Sequence, residues 1–394
     1  MNYVVEGSVL ETSPQWRVTV QLIRVSDQTH LWAEAYDLST PGDASVQKDA
    51  AARIARLLAI ELPPASQRRL ASGRTLPPQA REAYLRGRYW LTRATGPHIF
   101  KGQQYFQQAI AAEPAYAEAY AGLATSYLLL GGYGFFPVSE MRPKAKAAAE
   151  KALELDDSLV DARLALAGIK MEHEWDFAGA QQEFQTAVQL NPNSAMAHQW
   201  YAALLEALGH FDQAIGEMKK AYELDPLSLR VGVDLGRAYY FARRHDLAIE
   251  QYRKVLELDP NFSGAHSMLG MALLEKHDFN QAIPELEKGV VLIPGNKGYN
   301  AWLGYAYALA GRKSEAEKML ATQMEYRAQQ HVAAQAVALT YLGMGDMDQA
   351  FAWLDTAYQE RDGINMIKAF PLWDSVRSDP HFQDLVRRIG LPAD

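Results

Sequence analysis

AMAHQWYAALLEALGHFDQAIGEMKKAYELDPLS, residues 195–228, decides the fold. Apolar residues recur at helical spacing from Met196 to Leu208, and Gly209 breaks the run. A second helical run extends from Ala214 to Leu224, and Pro226 stops it. The segment reads as two antiparallel helices joined by a short turn. The pattern returns every 34 residues: Pro192, Pro226, Pro260 and Pro294 keep that step, as do Ala180, Ala214, Ala248 and Ala282 and the small residues Gly168, Ala202, Gly236 and Gly270. A fixed period of this size predicts a stack of like units, each hiding its apolar side against the next.

The other columns have physical readings. Asp212, Asp246, Asn280, Ser314 and Asp348 keep the step and are expected to cap the second helices, their side chains accepting from unpaired backbone N–H groups. Ser314 with Glu317 fits a capping box. Ala202, Gly236, Gly270, Gly304 and Ala338 on the first helices, and Ala214, Ala248, Ala282, Ala316 and Ala350 on the second, let the backbones approach closely. Tyr201, Leu235, Leu269 and Leu303, with Met218, Tyr252, Leu286 and Leu320, are the larger partners that fill the remaining space. Pro284 falls near the first turn of its helix, where it forfeits at most one hydrogen bond, so the helix is expected to continue.

With these residues in view, the 34-residue step resembles the tetratricopeptide repeat. The features that match are the small residue at position eight, the alanine at twenty, the large apolar residue at twenty-four and the proline at thirty-two. Six copies run in register from 161 to 364, the last two without the proline. Less regular copies at 83–116 (Phe106, Ala109, Pro114) and 117–160 (Tyr120, Leu123, Tyr127, Ala152) bring the number to about eight. The resemblance implies a mainly α, right-handed superhelix over 81–366 whose first helices line a concave groove. Larger side chains expected to face that groove are Met196, Gln199, Arg230, Val233, Arg237, Tyr240, Phe241, Met271, Leu274, Tyr305 and Leu309. Such side chains also serve inter-repeat packing, but aromatic, Met and Arg residues are enriched at interface hot spots. The expectation is that Arg237→Glu with Tyr240→Ala removes partner capture and leaves the melt near that of the parent chain. Repeats of this type that clamp a C-terminal carboxylate do so with Lys and Asn; Arg230 and Arg237 have neither beside them, which argues against that mode.

Ahead of the array, residues 3–11 read as a strand. In 16–24, Trp16, Val18, Val20 and Leu22 alternate with Arg17, Thr19 and Gln21, and a third strand spans 29–38 with Leu31, Ala33 and Ala35 on one face. Pro41-Gly42 breaks the chain, and 44–62 forms an amphipathic helix with Ala50, Ile54, Leu57, Leu58 and Leu62 along one side. The prediction is a small α+β half-domain over 1–62, three antiparallel strands plus one helix, with an edge strand that tends to find a partner. The stretch YVVEGSVLE…WRVTVQLIRVSDQTHLWAEAYD resembles the second half of a TolB-like α/β domain, and EWDFAGAQQEFQTAVQLNP (174–192) and DSVRSDPHFQDLVRRIGLP (374–392) resemble pieces of the same bacterial group. In that group a βα half, and often a winged-helix or adenylate-cyclase domain, comes first; the chain resembles the C-terminal part of such a protein. Residues 63–80, bounded by Pro63-Pro64 and Pro77-Pro78, read as a linker. The insert GGYGFFPVSEM lengthens the second copy by about ten residues; Phe135 and Phe136 read either as part of a loop over the groove or as local plugs of a lengthened first helix, and the second reading is favoured. Residues 367–394 are expected to cap the array, with a helix starting at Asp379-Pro380.

Composition narrows the function. The chain of 394 residues has no cysteine, which excludes disulfides and thiolate chemistry, and no apolar run nears the ~20 residues that span a bilayer. The net charge is −8 while residues 1–80 carry eight basic and eight acidic side chains, so the acid excess lies in the array and disfavours a nucleic-acid surface. No HExxH, phosphate-binding glycine loop or GxSxG elbow is present; His210, His245 and His277 fall in turns about one repeat apart, and His173-Glu174 has no second ligand pair. No cofactor, metal or catalytic residue is expected. The leading expectation is a non-catalytic scaffold that binds a protein or peptide in the groove, within a bacterial signalling or transcription-regulatory protein. Other readings are a ligand-sensing or self-assembly module, dimerising through the sheet edge and serving an output domain, and, least favoured, a direct DNA binder. The expected location is the cytoplasm, or the periplasm if a full-length relative carries an upstream membrane helix.

Overall fold

The computed structural model describes residues 3–12, 15–25, 27–38, 44–57, 76–91, 96–132, 136, 138–292, 297–329, 332–361 and 363–392. Two compact units divide the chain, Met1–Pro78 and Gln79–Asp394.

In the first unit β1 (Tyr3–Thr12), β2 (Gln15–Arg24) and β3 (Thr29–Leu38) form an antiparallel sheet in the order β1-β2-β3, followed by α1 (Ala44–Leu57). Directly opposed residues share a face, and Leu22 opposes Val5 and Trp32, while Val18 opposes Val9 and Tyr36. The helix lies on that face: Tyr36 Oη donates to Asp49 at 2.8 Å, and Arg53 pairs with Glu34 and Asp49. The side of β3 that α1 covers is therefore Trp32, Glu34, Tyr36 and Leu38, whereas Ala33 and Ala35 are exposed. Val46 and Ala50 are buried, but Leu57 is half exposed; Leu58, Leu62, Pro41-Gly42 and most of the expected linker lie outside the described residues. The opposite face carries the bidentate Arg17–Asp37 pair. Cover is thin over β1, an edge strand on which Val5, Val9 and Leu10 stay exposed.

The second unit holds α2 (Pro78–Leu91, whose first residue belongs to the first unit), α3 (Gly96–Ala112), α4 (Ala117–Gly132), α5 (Val138–Leu155), α6 (Val160–Ile169), α7 (Phe177–Leu190), α8 (Ala195–Ala207), α9 (Phe211–Leu224), α10 (Leu229–Phe241), α11 (His245–Leu258), α12 (Ser263–Glu275), α13 (Phe279–Leu292), α14 (Lys297–Leu309), α15 (Lys313–Gln329), α16 (Ala334–Met344), α17 (Met347–Glu360) and α18 (Pro380–Ile389). The helices from α2 to α17 pair in sequence, α2 meeting α3 where Gly102 lies against Gly87, and each pair packs on the next. First helices of successive repeats also touch one another, while second helices stand further apart, which makes the first helices the inner, concave layer. The small residues act as expected. A Cβ on Gly236 would come within 2.3 Å of the buried Tyr252 ring, and one on Gly270 within 2.6 Å of Leu286. Pro284 sits inside an unbroken α13. α4 runs 16 residues against 13 in α8, a lengthened first helix; Phe136 beyond it is exposed, and Phe135 lies outside the described residues.

The caps differ from expectation by two residues. N-cap positions before the second helices are Asp176, His210, Arg244, Asp278, Arg312 and Asp346, also 34 apart; Asp176, Asp278 and Asp346 accept there from the N–H of Gly179, Gln281 and Gln349. Asp212, Asp246, Asn280, Ser314 and Asp348 instead sit second inside their helices. There a carboxylate still favours the helix N-terminus, and Asp212 and Asp246 pair with Arg244 and Lys276 of the following repeat. The turn before each cap is a Schellman closure: the N–H of His210, Arg244, Asp278, Arg312 and Asp346 donates to the carbonyl of Leu205, Tyr239, Leu273, Tyr307 and Tyr341 at 2.8–3.1 Å. It requires a left-handed residue just before, and Gly209, Arg243, His277, Gly311 and Gly345 hold positive φ. Trp175 occupies the same column after a π-helical turn at Lys170–Glu174.

Candidate functional site: the concave face and its occupant

The concave face divides along its length. Toward the N-terminal ends of the first helices Met196 is 41% exposed and the Arg230 side chain 71%, with Gln199 half-buried beside them. Val233, in the same column as Gln199, is buried, and so, toward the C-terminal ends, are Tyr240, Phe241, Met271, Leu274 and Tyr305. Leu309, at the end of α14, is exposed, and Arg237 is half-buried.

Much of the covering material is the chain itself. After α17 the backbone enters a left-handed residue, Arg361, and then two short 3-10 turns, Ile364–Met366 and Pro371–Val376. Ile364, Ile367, Leu372, Trp373 and Val376 of this stretch are buried in one apolar cluster with Tyr240, Phe241, Met271, Leu274 and Tyr305, and Ile364–Met366 packs on α8. Phe370 meets Phe241 edge-on with ring centroids 4.8 Å apart. α18 packs on α17: Asp379 caps it, the His381 ring stacks on Phe351 at 4.7 Å, and Arg388 pairs with Asp355. The filling of the concave side by 363–376 is the part that periodicity did not reveal.

Polar contacts fasten the segment. Arg243 grips both carboxylate oxygens of Asp374 at 2.5 and 3.1 Å and donates to the Ala369 carbonyl at 2.9 Å. Arg361 donates to the His173 carbonyl at 2.7 Å and lies 4.7 Å from the centre of the Trp175 ring, which also meets Tyr358. A crevice of about 500 Å³ remains between the turn Leu208–Phe211 and Arg243 on one side and Lys368, Asp374, Arg377 and Pro392 on the other.

Between the two halves lies a buried charge cluster on α8 and α10. Arg237 bridges Glu206 at 3.2 Å and Asp234 at 2.9 Å, and Asp234 also accepts from Gln199 and from Arg230. Burial pushes the Glu206 carboxyl up to about 7, with Arg237 opposing and Asp234 adding to the rise. Burial acts likewise on Asp234, but the guanidiniums of Arg237 and Arg230 outweigh it and hold it below its ordinary value. Glu206 Oε1 and the neighbouring Tyr252 Oη have no hydrogen-bond partner. Arg237 and Tyr240 make internal contacts, Tyr240 being fully buried and donating to Glu275, so the double substitution named above should lower the melt as well.

Two histidines outside any sequence motif form a repeated brace. His198 and His266, two repeats apart, each set Nδ1 against a carboxylate of the next helix (Glu217, Glu285) and Nε2 against a proline carbonyl (Pro192 at 2.9 Å, Pro260 at 2.8 Å). Among the described residues no group of three or more His, Asp or Glu is placed to hold a metal ion, and no helix is long and apolar enough to cross a membrane.

Residues 183–216 and 233–297 match tetratricopeptide-repeat profiles. The array is built of tetratricopeptide repeats. The human IFIT1 dimer with m7Gppp-AAAA shares the fold, with a TM-score of 0.52 at 15% identity over 80% of this chain and 77% of that one. Among curated sequences the chain is 25% identical to transcriptional regulator HilA of Salmonella typhimurium over 232 residues, 59% of this chain and 41% of that protein. It is 26% identical to putative adenylate cyclase 3 of Rhizobium meliloti over 124 residues, 32% and 21% of the two. The chain thus spans less than half the length of either relative. Tetratricopeptide arrays are protein-interaction scaffolds, and the concave face is the surface on which the partner question turns.

Proposed function

We propose that this chain is a non-catalytic scaffold that binds a partner protein or peptide on the concave face of its repeats, within a bacterial signalling or transcription-regulatory protein. The observation that carries the reading is that the face already accommodates a peptide-like stretch, with Phe370 against Phe241 and Asp374 on Arg243. The open half supplies a further patch, Met196, Gln199 and Arg230, and Met and Arg are side chains favoured at interface cores. The regulatory setting draws on the names of the two curated relatives, a transcriptional regulator and a putative adenylate cyclase. The acid excess of the array disfavours nucleic acid as its ligand. The test is Met196→Glu with Arg230→Gln, both at exposed positions, the glutamine keeping a donor beside Asp234. Loss of partner capture from the source cytosol, at an unchanged melting temperature, supports the reading; undiminished capture removes the open half from it.

A second reading, self-assembly through the first unit to regulate an output domain, draws on the exposed Val5, Val9 and Leu10 of the edge strand β1. Light scattering on the intact chain and on Val9→Lys decides it: a monomer in both cases ends sheet-mediated assembly.

A further inference from the structure

One column of the repeat breaks its own rule where the C-terminal segment is held. The left-handed position between paired helices is glycine at 209, 311 and 345, but tryptophan at 175, arginine at 243 and histidine at 277. A residue with a Cβ pays energy for that backbone, and such departures cluster at functional positions. Two of the three, Trp175 and Arg243, reach the C-terminal region. Trp175 receives Tyr358 and Arg361; Arg243 receives Asp374 and the Ala369 carbonyl. The Arg243–Asp374 pair is open to competition, with side chains 30% and 42% exposed, and the crevice of about 500 Å³ beside it leaves the occupant loosely packed on that flank. The inserted stretch itself is short and of definite chemistry: Phe370, Pro371, Leu372, Trp373 and Asp374.

We propose that residues 363–376 are a tethered pseudo-ligand, and that the array binds in trans a partner segment of the same order, aromatic, proline, aliphatic, aromatic, carboxylate, when its own copy is displaced. The proposal rests on the concave face being the binding surface, and it assigns the filled half, with Arg243 as the carboxylate anchor, as the recognition site. A tethered segment enjoys a high effective concentration. A partner succeeds only by binding more tightly or once the Asp374 anchor is weakened.

The probe is a labelled synthetic peptide of residues 363–378, titrated against the full chain and three variants. Asp374→Arg loosens the internal copy and leaves Arg243 free for the peptide's own aspartate; it should bind at least tenfold more tightly than the parent chain. Arg243→Glu should not bind. In the double variant Arg243→Glu with Asp374→Arg, the reversed pair re-forms the internal contact and binding should stay absent. Hydrogen exchange on the unaltered chain gives an independent reading, in which amides of 363–376 exchange by a local opening faster than those of 229–275. A folded Asp374→Arg chain that ignores the peptide would overturn the proposal. So would a segment that exchanges only in the same step as the array, and that second result decides the matter even if the variant fails to fold. Two chains swapping their segments, seen by light scattering, would replace the partner by a second copy and also overturn it. The Met196 and Arg230 test concerns the open half, so failure there leaves this result separate.

Discussion

The two halves of the concave face are lined by the same helices, yet one is dry and the other wet. At the C-terminal ends of α8, α10 and α12, Tyr240, Phe241 and Met271 are covered, and Trp373 is inserted nearby at 1% exposure. A few turns back along the same helices, Met196 and Arg230 face solvent. The dry half adjoins the turns between paired helices. Where the left-handed residue is glycine, nothing projects across the groove. Where it is Arg243 or Trp175, a side chain reaches over and ties down another part of the chain. A repeat protein therefore sets its internal contacts by exceptions to its period.

Substitutions can break this contrast, the largest effects lying in the filled half. Trp373→Ala removes the largest fully buried side chain and should cost about 3–5 kcal/mol in urea unfolding, the range for aromatic-to-alanine changes in cores. A cost below about 1 kcal/mol would mean the segment is not packed there. Arg237→Ala strands Glu206 and Asp234 in the interior between the halves and should cost roughly 3 kcal/mol at pH 8.

Acidity sharpens the same point. The folded chain holds the Glu206 proton up to about 7, above the 4.5 of the free group, so the folded state binds the extra proton between those values. Its contribution to stability is full below pH 4.5 and is lost as the pH rises through 7, by up to roughly 3 kcal/mol. Asp234 is shifted the other way, so the clean quantity is the difference from Glu206→Gln: chemical unfolding across pH 5–8 should show a descent in the parent chain that the variant lacks. Matching profiles would place Glu206 in a wetter site than its neighbours indicate.

Smaller effects follow on the turns and the open half. Gly209→Ala puts a Cβ on a left-handed residue at φ 80° and should cost about 1 kcal/mol in the same unfolding assay. Met196→Ala should stay within about 0.5 kcal/mol, the usual surface range, and Arg230→Ala should cost up to about 1 kcal/mol because the buried Asp234 loses a donor. A large loss at either would mean that the open half is packed after all.

The helix pairs were legible in the sequence because the columns that build them are packing columns: Gly236 admits the Tyr252 ring from the facing helix, and Gly270, one repeat on, admits Leu286. The caps were placed two residues late, since Asp212 and Asp246 satisfy a first-turn preference as well as a capping one, and only the backbone distinguishes N-cap from N2. The face of β3 toward α1 was hard to read because Ala33 and Ala35 are apolar enough to pass for core while Glu34 lies inward on Arg53. The occupant of the groove was not visible at all. Phe370-Pro371-Leu372-Trp373 has no period of its own, and its contacts bridge more than a hundred residues. Its one signal was a large residue at 175, 243 and 277 in a column kept by glycine at 209, 311 and 345.

The central claim is that the stretch after α17 lies in the concave face of its own chain. Nuclear Overhauser spectroscopy on the unaltered protein, with protonated phenylalanine in a deuterated background, addresses it directly. With the two ring centres 4.8 Å apart, a cross-peak between the Phe241 and Phe370 ring protons is predicted in the isolated chain. Resolved signals from both rings with no cross-peak between them would contradict it.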